Sequence, residues 1–164
     1  MTATYEKIAT TTLGSSASNI EFTSISGSYT DIVLVVNAKS VSGGVDLSMQ
    51  VNGDTGSNYS KTNLYGDGSS AVSSRVTNQT SFGVNLAGYV NSTFVSNQIV
   101  QLMNYSNSTT YKTFLSRANN ANVGTDAITG LWRSTAAITS IKLLVSGDNF
   151  ASGTMATIYG IKAA

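Results

Sequence analysis

The chain has no histidine, no cysteine and no proline. Without histidine there is no Ser–His or Cys–His nucleophile system and no imidazole metal ligand. Without cysteine there is no disulfide, thiolate nucleophile, zinc finger or iron–sulfur site. Charge is scarce as well: Asp, Glu, Lys and Arg make up 10% of the residues and the net charge is +1. Nucleic-acid-binding domains carry a basic patch or stripe. Here the basic residues stand singly from Lys7 to Lys162, so no nucleic-acid partner is expected. The longest apolar run covers residues 32–36, far short of the ~20 residues a membrane-crossing helix needs. Residues 1–12 lack the basic start and apolar core of a signal peptide. The chain is therefore expected to be soluble, with no membrane partner.

What is abundant is Ser, Thr and Asn, about 37% of the chain. Their side chains compete with the helical backbone for hydrogen bonds, and no window places apolar residues at helical spacing between good helix formers. The period is two instead. Val45, Leu47, Met49 and Val51 alternate with Asp46, Ser48, Gln50 and Asn52, the pattern of a strand with one wet face. Segment 30–39 is apolar on both faces, with Ile32, Leu34 and Val36 against Val33 and Val35. It reads as a central strand covered on both sides, the second side by chain or by another subunit. Further strands are predicted over 5–11, 19–25, 81–87, 98–105, 112–118, 127–133, 138–145 and 155–161. Between them stand turn clusters such as Gly43-Gly44, Gly66-Asp67-Gly68 and Gly147-Asp148-Asn149, which supply the backbone angles of tight turns.

These signals predict one all-β domain over 1–164, an antiparallel β-sandwich of jelly-roll-like topology with about 8–10 strands. Two regions stand apart. Residues 1–18 read as an extended N-terminal arm, an apolar segment 5–13 followed by a flexible 14–18. Residues 52–80 read as a long polar loop region, and loops beyond ~12–15 residues are usually functional or mobile. Tyrosines in such loops supply contact area at low entropy cost. The candidate assembly contacts are therefore Tyr5, Ile8 and Leu13 from the arm, and Tyr59 and Tyr65 from the loop.

The candidate chemistry is sparse. Eight carboxylates are present, most in or beside predicted turns, and none forms the flanking pair that glycoside hydrolysis requires. Residues 52–58, Asn-Gly-Asp-Thr-Gly-Ser-Asn, place oxygen ligands at alternate positions, as calcium loops do. They lack the acidic density and closing Glu of such a loop and read as an ordinary turn. Trp132 could stack on a sugar ring, but a lone Trp in a strand is more often core. No catalytic residue, metal site or cofactor is expected.

Both ends of the chain carry a more specific pattern. The first runs Tyr5-Glu6-Lys7-Ile8-Ala9, Ser18-Asn19-Ile20-Glu21-Phe22, then Tyr29-Thr30-Asp31-Ile32-Val33-Leu34-Val35. The second runs from Gly147-Asp148-Asn149-Phe150 through Gly153-Thr154 to Ile158-Tyr159-Gly160-Ile161. Together they resemble a family of small virion structural proteins of tailed bacteriophages. That family opens on Ser-Asn-Ile-x-Phe and Tyr-Thr-Asp and closes on Gly-Ser-x-x-x-Leu-Tyr-Gly-Ile. Thr154 and Ile158 are conservative departures, and the middle of the chain is not diagnostic. The resemblance implies a β-sandwich bound to a virion, assembled in the host cytoplasm, without catalytic residues. It suits a capsid decoration or cement protein, a homo-oligomer and most readily a trimer, whose partners are its own copies and the major capsid protein. A tail-fibre or baseplate component binding host-surface glycans is the alternative.

Overall fold

The computed structural model describes residues 4–86 and 89–162. Residues 1–3 of the expected arm, Ala87 of the strand expected over 81–87, and residues 163–164 lie outside the described residues. Among those described there is no helix. Twelve strands form: β1 (Tyr5–Thr12), β2 (Asn19–Phe22), β3 (Asp31–Ala38), β4 (Leu47–Val51), β5 (Tyr59–Gly66), β6 (Ala71–Gln79), β7 (Phe82–Gly83), β8 (Ser96–Met103), β9 (Lys112–Asn120), β10 (Gly124–Trp132), β11 (Ile141–Val145) and β12 (Met155–Ile161). They make an eight-stranded sheet, β1-β12-β3-β8-β9-β10-β5-β6, and a four-stranded sheet, β2-β11-β4-β7. Every pairing is antiparallel.

The connectivity is that of a jelly roll with two additions. β1-β12-β3-β8 and β2-β11-β4-β7 are the two four-stranded sheets that two Greek keys generate. The hairpin β5–β6 is inserted between β4 and β7, and the hairpin β9–β10 between β8 and β11. Both hairpins add to the same side of one sheet, which doubles its width and leaves the other at four strands.

The core lies between the sheets. Ile32, Leu34, Val36 and Ala38 of β3 are fully buried and face the small sheet's Ile20, Leu47, Met49, Val51, Ile141 and Leu143. The alternation of β4 is thus as expected, and on the second face of β3 Val33 is buried and Val35 half-buried. Phe82 of β7 packs edgewise on Phe114 of β9, centroids 5.2 Å apart. It also lies over Gly130 of β10, where any β-carbon would collide with its ring.

Two expectations are corrected. Region 52–80 is not a long loop: β5 and β6 occupy most of it. β5 pairs along its length with β10, Tyr59 opposite Trp132 and Tyr65 opposite Asp126. The segment 1–18 is not an arm in its described part. β1 pairs with β12 from Tyr5↔Ile161 to Thr12↔Met155. The stretch after it is pinned, Leu13 N donating to Thr154 O (2.9 Å) and Ala17 N to Phe150 O (3.1 Å). Leu34→Ala removes a side chain with no exposure. It is expected to lower unfolding free energy by about 2–5 kcal/mol, read as a fall in the denaturant midpoint at unchanged slope.

Candidate assembly surface

The two sheets present different outer faces. On the small sheet the outward residues are Asn19, Glu21, Ser48, Gln50, Lys142 and Leu144, with Lys142 opposite Glu21 and Gln50. That is an ordinary wet face. On the large sheet the outward positions carry apolar residues in adjoining rows. One row runs Leu64, Ala127, Arg117, Ile99, Val35 and Thr157, each opposite the next. The next runs Thr62, Thr129, Leu115, Gln101, Val33 and Tyr159. Leu64 is 60% exposed, Leu115 40% and Ile99 37%. Leu64 and Ala127 also line a shallow depression of about 410 Å³ with Arg117 and Thr125. Threonine hydroxyls interleave with the apolar side chains, and Arg117 is the cation at the centre. Leu64, Leu115 and Ile99 are the large hydrophobics exposed in these two rows.

The expected contact residues separate on this frame. Tyr5 is 57% exposed and lies on the edge strand β1. Ile8 and Leu13 are partly buried and pack against the core. Tyr65 is half-buried and its hydroxyl donates to Asp67 Oδ2 (3.1 Å). Tyr59 is wholly buried and is corrected as a contact residue. Its ring stacks near Trp132, its hydroxyl donates to Asp54 O (3.1 Å) and accepts from Val51 N (3.1 Å), and burial raises its pKa to about 12. Sequence reasoning missed Ile99, Leu115 and Leu64, which only the register brings together.

Trp132 is 2% exposed and donates from Nε1 to Asp54 Oδ2 (2.6 Å), so it offers no platform to a sugar. The same carboxylate takes Asn58 Nδ2 (2.9 Å) and Gly56 N (2.8 Å). Burial pushes Asp54 up, but these three donors outweigh it and hold it below the usual range. The turn 52–58 is closed by protein donors, and no group of acidic side chains able to hold a metal occurs among the described residues.

A second set of polar groups is internal. Beyond β7 the inner face of the widened sheet meets irregular backbone at 84–86 and at Tyr89. Buried irregular backbone must find partners, and the sheet supplies them. Ser116 Oγ donates to Val84 O (2.7 Å), Asn120 Nδ2 donates to Tyr89 O (2.7 Å), and Asp126 Oδ2 accepts from Leu86 N (2.8 Å). Asn85 Oδ1 accepts from Leu47 N (2.8 Å), and Lys61 Nζ donates to Asn85 O (3.4 Å). Asn85 Nδ2, Tyr89 OH and Asp126 Oδ1 are buried and find no partner among the described residues. Burial raises Asp126 to about 6, against the Leu86 amide and the Lys61 charge, and burial lowers Lys61. Asp126 is 5% exposed and serves backbone. The cluster's hydrogen bonds go to backbone groups.

No protein-family model matches this chain, and no curated protein matches it. The Asp126 environment sets a pH dependence. Its folded pKa, about 6, lies above the ordinary 3.8, so between those values the folded state holds a proton that the unfolded state has lost. Asp126 therefore contributes stability that is present near pH 4 and lost as pH rises through about 6. Asp126→Asn is expected to remove this contribution. Subtracting the variant's unfolding free energy from the wild type's should leave a difference that falls from about pH 4 to about pH 6 by on the order of 2–3 kcal/mol. A difference constant with pH contradicts it.

Proposed function

We propose that the protein is a non-enzymatic virion structural protein of a tailed bacteriophage, a capsid decoration or cement protein that binds the outside of the head and bridges shell subunits. One observation carries the assembly reading: the large sheet's outer face exposes Leu64, Leu115 and Ile99 among threonines and Arg117, while the small sheet's outer face is wet. The virion part rests on the resemblance of the two chain ends. Those ends form β1, β12 and β3, which adjoin in the large sheet, and β2 at the edge of the small sheet.

The proposed partners are the major capsid protein and further copies of the chain, in threefold groups. No nucleic acid, membrane or cofactor is part of the reading. Attachment rests on apolar burial and on neutral hydrogen bonds from Thr, Ser and Asn. It depends weakly on salt, because screening acts on charged pairs. An interface of about 1,600 Å² gives useful affinity, and subunits attaching together multiply it.

The test is to omit or strip the protein and challenge particles with heat or osmotic shock. Heads lacking it are expected to burst earlier, and re-addition to restore them. Ile99→Glu combined with Leu115→Glu changes only outward positions, so it should leave the melting temperature nearly unchanged and abolish re-attachment. Heads equally stable without the protein, with adsorption to host cells lost, would instead establish a tail role.

A further inference from the structure

Sheet edges are open templates, and proteins blunt them with bulges, charges, proline or short length. The four edges here differ in this respect. On the small sheet, β2 has four residues and β7 two. On the large sheet, β1 shifts register between Lys7 and Ala9 and carries Glu6, which is paired with Lys162 (2.9 Å). β6 has none of these protections along most of its length. It pairs regularly with β5 from Gly66↔Ala71 to Lys61↔Val76, and its irregularity comes only beyond Val76, where Asn78 takes a φ of 58°. All nine of its residues are exposed, so neither face is covered. Its charge is Arg75 alone.

We propose that β6 is a self-pairing edge: two copies of the chain join antiparallel, β6 to β6, about a two-fold axis at Ser74, making one continuous sheet. A continuous sheet keeps its inner and outer sides, so only like-facing residues stand opposite one another, and the axis must pass through a residue. Val72 stands opposite Tyr65, Ser74 opposite Asn63 and Val76 opposite Lys61, all on the inner side. Ser73 and Arg75 face outward. An axis at Arg75 sets the two guanidinium groups against each other, which is destabilising. An axis at Ser73 puts Val72 against Ser74. At Ser74 each Val72 meets the partner's Val76, twice by symmetry, and each Arg75 meets an uncharged Ser73. This register forms two apolar cross-strand pairs and separates the like charges. The self-complementarity makes a second copy the occupant. The inference stands apart from the virion reading, because it concerns a contact between copies in solution.

The absence of cysteine makes the test clean. In this register the Ser74 α-carbons are directly opposite, about 4.5–5.5 Å apart, inside the range a disulfide spans. Purified Ser74→Cys protein, under mild oxidation at micromolar concentration, is expected to form a covalent dimer. It should do so roughly a hundredfold faster than Gln79→Cys, whose thiols meet only by collision. Adding Ser73→Arg to Ser74→Cys sets the introduced guanidinium against that of Arg75 across the axis and should return cross-linking to the collision rate. In the protein without cysteine, Ser73→Arg alone should halve the sedimenting mass. Thermal melting of each variant reports retained fold. The proposal is overturned if folded Ser74→Cys links no faster than Gln79→Cys, or if Ser73→Arg changes neither cross-linking nor mass. Failure of either arm leaves the head-stability experiment unaffected, so the two readings are separable.

Discussion

The structure depends on satisfying backbone hydrogen bonds beneath a sheet too wide for its partner. Four strands of the large sheet belong to the jelly roll, and the hairpins β9–β10 and β5–β6 add four more, but the small sheet stays at four. The uncovered inner surface cannot be packed by another strand, because β7 ends after two residues. Irregular backbone at 84–86 and at Tyr89 lies against it, and each buried amide or carbonyl left without a partner would cost about 1–3 kcal/mol. Ser116, Asn120, Asp126 and Lys61 meet that demand. The polar character of this region's interior follows from its topology.

That same demand explains what could be read in the sequence and what could not. Where apolar side chains line the inner face, alternation is plain, as in Leu47, Met49 and Val51, and the strands fall close to their expected places. The order of strands follows from connectivity that no local pattern records. In β9 and β10 the inward positions beyond the core include Ser116, Asn120 and Asp126, so the period of two continues without an apolar marker. β6 has both faces wet and no alternation to show. Together with the Gly and Ser around 66–70, this made 52–80 look like loop. Tyr59 looked like a surface tyrosine in polar surroundings, yet it is core because β5 pairs with β10 and sets its ring beside Trp132.

The N-terminal segment shows the reverse error. Gly14 and the serines after it suggested a flexible connection, since glycine and serine give a chain freedom. Freedom in the unfolded state does not prevent fixation in the folded one when backbone partners are at hand. Leu13 and Ala17 find those partners in Thr154 and Phe150, within the second of the two resembling segments. The two ends of the chain are thus one structural unit. A change in β1 is felt in β12, its neighbour in the sheet.

On the proposed reading the large sheet's outer face meets opposed requirements, wet before assembly and covered after it. A wholly apolar outer face would aggregate, and a charged one would carry a desolvation cost of several kcal/mol for each buried ion. The large sheet avoids both extremes. Its rows set Ile99, Leu115 and Ala127 beside Thr113, Thr129 and Gln101, so the apolar area is divided by groups that hydrogen-bond equally well to water or to a partner's backbone. Burying a neutral hydroxyl with a partner is nearly free, whereas burying a guanidinium is not. On the proposed reading, the scarcity of charge and the abundance of Ser, Thr and Asn suit a surface that exchanges water for protein at little electrostatic expense. Arg117, in the middle of that face, is the exception. Its planar fork suits a carboxylate or carbonyls, and on the proposed reading it would orient a contact that is otherwise apolar and neutral.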